Sequence, residues 1–193
     1  MLKIIHRVNT IKQLKNLPTH FGVEIDIRSN MSNLYLHHDP FAEGVLFDDW
    51  LNFFHHSFII LNVKEDGLEN LIIKKLKEKS ICNFFFLDQT FPTINKLLNS
   101  DFTDLAIRLS EFETIVNALI LDKKPQWVWI DHFNKFPFKS KEVELLKKNG
   151  YKICIVSPEL QGKENSKIKE LKNILYKKSI TFDAVCTKYP ELW

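Results

Sequence analysis

The sequence predicts a compact α/β fold, a closed (β/α)8 barrel forming a single domain over residues 1–193. Three observations predict it. Short runs rich in β-branched and aromatic residues recur along the whole chain, and each is followed by a Lys/Glu-rich stretch of helical spacing. Strict alternation of strand and helix calls for a parallel sheet covered by helices, and eight strands favour closure. The composition is 45% hydrophobic and 26% charged, with sixteen Phe and four Trp against five Gly, which suits a core of large rings and short connections.

The strands are expected at Lys3–Arg7, Gly22–Arg28, Phe58–Lys64, Asn83–Asp88, Leu105–Ser110, Gln126–His132, Lys152–Ser157 and Asp183–Thr187. Between them the helical candidates are Ile11–Leu17, Asp48–Phe54, Leu68–Ser80, Pro92–Asn99, Glu111–Leu121, Ser140–Asn149 and Ser166–Lys178. In the third of these, Leu68, Leu71, Ile72 and Leu76 share one face while Lys74, Lys75 and Lys77 turn largely elsewhere. Gly150 follows Lys147 and Lys148 as a helix stop should. Barrels of this kind usually have about 250 residues, so the connections must be short and the last helix truncated before Trp193. An open doubly wound sheet is the structural alternative.

The 27 basic and 24 acidic residues nearly balance, giving a formal charge of +3. That argues against a nucleic-acid partner but leaves room for a local basic pocket. Cys82, Cys154 and Cys186 are far apart, without Cys-x-x-Cys spacing, and read as buried free thiols in a reducing compartment. The N-terminus has no signal-peptide core, and no apolar run approaches the ~18 residues of a membrane span. The expectation is a cytoplasmic protein with no membrane insertion; the oligomeric state is left open.

Residues i, i+2 and i+4 of a strand share a face, and barrels of this type carry their sites at the C-terminal strand ends. Counted so, Ile4 and His6 share a face, as do Glu24, Asp26 and Arg28; Ile60, Asn62 and Lys64; and Phe84, Phe86 and Asp88. Ala106, Arg108 and Ser110 follow, then Trp127, Trp129 and Asp131. Strands end at the surface, so polar endings alone mean little. Glu24-x-Asp26-x-Arg28, however, begins deep inside a strand, and burying three charges on one face is costly unless they bind something or one another. Arg28 can pair with one carboxylate. Two hard oxygen donors two residues apart then suit Mg²⁺ or Ca²⁺ better than zinc. Leu34, Leu36 and His38 share a side, with Tyr35 and His37 opposite; His20 reads as a loop residue, His55 and His56 as a helix end, and His132 lies on the strand face opposite Asp131.

His6-Arg7, Glu24-Ile25-Asp26, His38-Asp39 and Thr187-Lys188-Tyr189-Pro190 together resemble the glycerophosphodiester phosphodiesterase family, a group of phosphatidylinositol-specific phospholipase C-like barrels. Each motif is short, but their order spans nearly the whole chain. The resemblance implies the same (β/α)8 TIM barrel and a phosphoric diester hydrolase or cyclising lyase acting on a small soluble phosphodiester. It implies His6 and His38 as general acid and base, and Glu24, Asp26 and the third-strand Asn62 around a divalent cation, Mg²⁺ or Ca²⁺. Arg7 and Lys64 would contact the phosphate, and Arg108, Trp129 and Asp131 lie where a head group would be read. Trp129 reads first as a barrel filler.

The chain departs from that pattern in four places. Val8 replaces the glycine after His-Arg, and Asn9-Thr10 is only a remnant of a Pro-Glu-Asn-Thr element. Asn62 stands where the family has a glutamate, which predicts weaker metal binding, and Lys188 stands for the closing aspartate. Two other readings compete: a phosphodiester- or sugar-phosphate-binding barrel with reduced turnover, and a Schiff-base lyase using Lys64.

Overall fold

A computed structural model describes residues 1–30 and 33–193. All eight predicted strands form, and they close a barrel. In chain order these are β1 (Leu2–Ile5), β2 (Gly22–Asn30), β5 (Phe58–Val63), β6 (Phe84–Leu87), β7 (Ala106–Leu109), β8 (Trp127–Ile130), β9 (Lys152–Val156) and β10 (Ala184–Thr187). Each pairs in parallel with its neighbours, and β1 closes the ring between β2 and β10. The seam between β6 and β7 is the loosest: it consists of the single bridge Phe86↔Leu105. The helices are α1 (Ile11–Asn16), α2 (Phe47–Leu51), α3 (Glu69–Glu78), α4 (Phe91–Asn99), α5 (Val116–Leu119), α6 (Ser140–Lys148) and α7 (Ser166–Lys177). After β10 there is only the 3-10 turn Pro190–Leu192 in place of a last helix.

Strand parity sorts the core into two layers. Ile4, Ile60, Phe85, Leu87, Ala106, Trp127, Trp129, Cys154, Val156, Ala184 and Cys186 fill the barrel interior. The alternate residues, such as Val23, Ile25, Ile59 and Leu61, or Val128, Ile130, Ile153 and Ile155, pack outward under the amphipathic helices. The rings of Phe58, Phe85 and Trp127, with centroids 5.0–5.7 Å apart, plug the N-terminal end of the barrel. Gly22 opens β2 because a Cβ there would lie 2.9 Å from Ile4 Cγ1. No helix among the described residues is long and apolar enough to cross a membrane.

Four expectations need correction. The residues after β2 form an added antiparallel ribbon, β3 (Asn33–Leu36) and β4 (Val45–Leu46), on the edge of β2, so Leu34 and Leu36 pack outside the barrel. On β6 it is Phe85 and Leu87 that face inward, not Phe84 and Phe86. The run Phe84–Leu87 is apolar on both faces and offers no alternation to read. The predicted helix Glu111–Leu121 shrinks to Val116–Leu119. Its first residues instead form a loop in which the Glu111 carboxylate accepts backbone N–H bonds from Phe133, Asn134 and Lys135 at 2.7–3.0 Å. Finally, Cys82 is exposed, while Cys154 and Cys186 are buried free thiols.

Candidate functional site

The C-terminal ends of β1, β2 and β5 bring six of the predicted residues together. The register pairs Asp26 with Asn62 across β2 and β5, so their side chains enter the barrel side by side. Past β1 the chain continues alongside β2, with the Val8 N–H donating to the Glu24 carbonyl at 2.8 Å. To do this Arg7 adopts φ +56°, a left-handed conformation uncommon for a residue with a side chain. The twist aims the Arg7 backbone N–H at Glu24 Oε2, 2.7 Å away. His6 Nε2 lies 3.8 Å from the same oxygen, and Asn62 Nδ2 donates to Glu24 Oε1 at 3.1 Å.

Asp26 is held from three directions. Asn9 Nδ2 donates to Oδ2 at 2.8 Å while Asn9 Oδ1 accepts the Asp26 backbone N–H at 2.9 Å, a two-point clamp. Arg7 Nε stands 3.8 Å from Oδ2. Lys64 Nζ stands 3.0 Å from Oδ1, near enough for ion pairing but off the hydrogen-bond direction, so Oδ1 receives no hydrogen bond. Arg28, expected to pair with a carboxylate of this set, turns away: its Nε and Nη2 donate to the His38 carbonyl at 3.2 and 2.9 Å, and Nη1 faces Glu65 at 3.6 Å. The reason is β3, whose return beside β2 puts the His38 main chain within reach of Arg28.

Electrostatics follow from burial. Glu24 is fully buried beside Asp26, and together these push its carboxyl up to about 7, against the opposing pull of the Arg7 N–H, Lys64 and Asn62. Burial, reinforced by the cations of Arg7, Lys188 and Lys64 and opposed by Asp26, lowers His6 to about 3, so its imidazole is neutral at pH 7. His6 Nδ1 and Asn62 Oδ1 are buried without a partner.

His38 stands on the ribbon side of this cluster. It shares a cavity of about 570 Å³ with Arg7, Asn9 and Asp39. Its Nδ1 pairs with Asp39 Oδ1 at 2.7 Å, leaving Nε2 as the free end. The His38 contact also holds the Asp39 carboxyl below its usual range. The neighbouring His37 accepts the Asp39 N–H at its Nδ1 (3.0 Å) and braces the turn.

Across the mouth lie Arg108, Trp129 and Asp131. Trp129 fills the barrel interior and donates its Nε1–H to Asp131 Oδ2 at 3.1 Å. Burial raises the Asp131 carboxyl to about 6, with Arg108 opposing, and Gln161 donates to its Oδ1. Arg108 is paired with Glu113, Nε to Oε1 at 3.0 Å, and lies 3.6 Å from Asp88. Behind β10, Glu159 accepts from Thr187 Oγ1 (2.6 Å) and from the Lys188 N–H (2.9 Å), which fixes the backbone that carries the Lys188 cation.

Asn9, Asp39, Gln161 and Glu159 were missed as contributors by sequence reasoning. Asn9 was the most accessible of these: Thr10 and Gln13 form the capping box that starts α1, which places Asn9 at a fixed point just before the helix. Glu159 and Gln161 sit in a 3-10 turn, Pro158–Gln161, with no pattern to mark them.

Among the described residues no three His, Cys, Asp or Glu side chains cluster to hold a metal ion. The donor set here is two carboxylates and an amide, and it meets a different test. Asp26 Oδ1 and Asn62 Oδ1 are buried oxygens without a hydrogen bond, the first with Lys64 Nζ 3.0 Å away, and hard oxygens of this kind suit a divalent cation.

No protein-family model and no curated protein matches the chain. Solved structures do match. A protein provisionally assigned as a glycerophosphodiester phosphodiesterase from Galdieria sulphuraria superposes with a TM-score of 0.72, over 99% of this chain and 95% of that one, at 13% identity. In fold, this chain resembles glycerophosphodiester phosphodiesterases. The phosphodiesterase of that type from Agrobacterium tumefaciens gives a TM-score of 0.65 at 12% identity, covering 100% of this chain and 99% of its own. Tryptophan synthase subunit alpha from Campylobacter jejuni gives 0.58 at 12% identity, covering 96% and 86%. The (β/α)8 barrel is therefore shown, and it is a barrel used by more than one enzyme class.

Proposed function

We propose that the protein is a phosphodiesterase that cleaves a small diester at the barrel mouth, with His6 and His38 moving the protons. The observation that carries this reading is the cationic ring of Arg7, Lys64 and Lys188 around a neutral, buried His6, set over two buried carboxylates. A phosphodiester anion neutralises that ring, and His6 then gains a negative neighbour that raises its basicity. One histidine removes a proton from the attacking hydroxyl as its oxygen bonds to phosphorus; the other gives a proton to the departing alkoxide as the opposite P–O bond breaks. If the attacker is a hydroxyl of the substrate itself, the product is a cyclic phosphate; if it is water, a monoester. Asp39 orients His38 through Nδ1, which leaves Nε2 for the proton.

Glu24, Asp26 and Asn62 are the residues that would hold a divalent cation. Its chemistry there would be neutralisation of the non-bridging phosphate oxygens. Lys64 and Arg7 contribute to the same charge balance from the protein itself.

The test is turnover of glycerophosphodiesters and of a chromogenic diester by the wild type, His6→Ala and His38→Ala. Each substitution should lower kcat by about 10²–10⁴-fold with the thermal melt retained. Activity unchanged in either variant would remove that histidine from the mechanism, and full activity in excess chelator would remove the cation. A second reading, a binding barrel with little turnover, is favoured by Asn62 standing in place of a third carboxylate. Tight phosphodiester binding with no product over long incubation would select it. The Schiff-base alternative loses support from the Lys64–Asp26 pair at 3.0 Å, because a paired ammonium has no lone pair to offer a carbonyl.

A further inference from the structure

We propose that Arg28 is the positioning residue for His38: its guanidinium fork grips the His38 main chain and so sets where the imidazole stands during proton transfer. This rests on the phosphodiesterase reading and adds to it the device that holds the second histidine in place.

His38 needs such a device because it lies outside the sheet. The β2–β3 ladder ends at Ile27↔Leu36, and one further bond, from the His37 N–H to the Asp26 carbonyl at 3.2 Å, carries the ribbon just past it. From there to Val45 the chain is a loop, with Phe41 fully exposed and turned to φ +60°. The His38 imidazole pairs through Nδ1 with Asp39, a neighbour on the same loop that is itself exposed. Among the described residues, the hydrogen bonds that tie His38 itself to a barrel strand are the two its carbonyl accepts from Arg28, from Nε at 3.2 Å and from Nη2 at 2.9 Å.

Two donors converging on one oxygen fix the direction of the carbonyl as well as its distance. A single ammonium on a flexible stem cannot do this. The fork is itself aimed. Glu65, just past β5, faces Arg28 Nη1 at 3.6 Å, and its carboxylate accepts the Ser29 N–H at 3.2 Å and the Ser29 hydroxyl. A chain of contacts thus runs from the end of the strand before Lys64 through Glu65 and Arg28 to the loop that carries His38. Glu65 also offsets the Arg28 charge, so Arg28 adds little to the cationic ring of Arg7, Lys64 and Lys188. Its loss should therefore act on proton transfer and not on phosphate affinity, which separates a positioning role from a phosphate contact. Arg28 and Glu65 line a cavity of about 780 Å³, next to the His38 cavity and sharing Glu43 and Gly44 with it. A small solute can reach the guanidinium slot through it.

The experiment compares the wild type, Arg28→Ala, Arg28→Lys and His38→Ala in three ways. These are turnover of a chromogenic diester, binding of inorganic phosphate followed at the His6 and Arg7 amides by NMR, and the His38 ring signals of the full chain. Arg28→Ala should lose about 10²-fold in kcat, the cost of a displaced proton carrier, and its ring signals should move or broaden. Its phosphate affinity should be unchanged, which also shows that the variant is folded. Arg28→Lys, with the charge but no fork, should recover little of the loss. Millimolar methylguanidinium should restore part of the turnover and the wild-type ring signals in Arg28→Ala, methylammonium should not, and neither should help His38→Ala. Full turnover in Arg28→Ala, equal rescue by methylammonium, or phosphate affinity falling together with kcat would each overturn the positioning role while leaving the phosphodiesterase reading standing. A wild type that turns over no phosphodiester would overturn that reading, and ring signals unmoved in Arg28→Ala would then overturn the hold on His38 as well.

Discussion

The two sides of the barrel mouth are built in different ways. On the β1, β2 and β5 side, functional groups project from regular strands in firm register, with Asp26 directly beside Asn62. Their contacts run between charged and amide groups in a nearly dry environment: Glu24 and Asp26 are 1% and 0% exposed. On the β6, β7 and β8 side the strand pairing loosens, and the polar groups come from strand ends, loops and a 3-10 turn. There Arg108, half exposed, carries the ion pairs. Charge buried in a rigid sheet is held tightly and is costly to disturb; charge on a loosened rim is screened and replaceable.

That contrast predicts unequal responses to matched substitutions. Lys64→Met removes a mostly buried cation from beside the buried Asp26 carboxylate, 3.0 Å away, and should destabilise the fold by about 3 kcal/mol. Arg108→Met removes a partly solvated cation whose partners can turn to water, and should cost no more than about 1 kcal/mol. Urea denaturation of both variants at pH 7 measures the pair. Equal losses would break the distinction between a rigid side and a loose one.

The same contrast explains what could be read from the sequence. Glu24-x-Asp26, Asn62-x-Lys64 and Trp129-x-Asp131 stand out because a polar residue interrupts an apolar face at a spacing of two, and a regular strand preserves that spacing to its end. Phe84–Leu87 carries no such interruption, and Asp88 leaves the strand through a left-handed residue, so counting by twos fails there. Arg28 was misplaced for another reason. Its face was read correctly as part of β2, but its partners depend on the return of β3, a tertiary event with no local signature. Asn9 could be noticed as a motif remnant, whereas its clamp on Asp26 depends on where the loop after β1 lies against β2.

Asn9→Ala tests that clamp. The substitution leaves Asp26 Oδ2 and the Asp26 backbone N–H without their partner and should cost about 2 kcal/mol, two hydrogen bonds of which one is to a charged group. It should also lower activity, because Asp26 would be free to rotate towards Lys64. Asn9→Asp places a carboxylate against a carboxylate and should be worse on both counts. Thermal melts with parallel kinetic assays check this, and a normal melt for Asn9→Asp would show that the clamp does not bear on Asp26.

The remaining expected effect is a stabilisation, and its pH dependence identifies its cause. Burial and Asp26 raise Glu24 in the folded protein to about 7 from an ordinary value near 4.5. A carboxyl with a raised folded pKa binds more protons folded than unfolded between those values, so stability falls as pH climbs from 4.5 through 7 and stays at the lower level above. Glu24→Gln keeps the shape and can still accept the Arg7 N–H through its oxygen, while its amide N–H can donate to Asn62 once that side chain turns its unpaired Oδ1 inward, and it has no charge to bury. The variant should therefore be more stable than wild type at pH 8, by about 1–3 kcal/mol, and this advantage should vanish near pH 4, where both side chains are neutral. The rim gives the matching control: Asp131 is raised only to about 6, so Asp131→Asn should show a smaller gain that is complete at a lower pH. Melting temperatures of both variants across pH 4–8 check the pair. A Glu24→Gln advantage that does not change with pH would mean that packing, and not the buried charge, sets the cost of this side of the mouth.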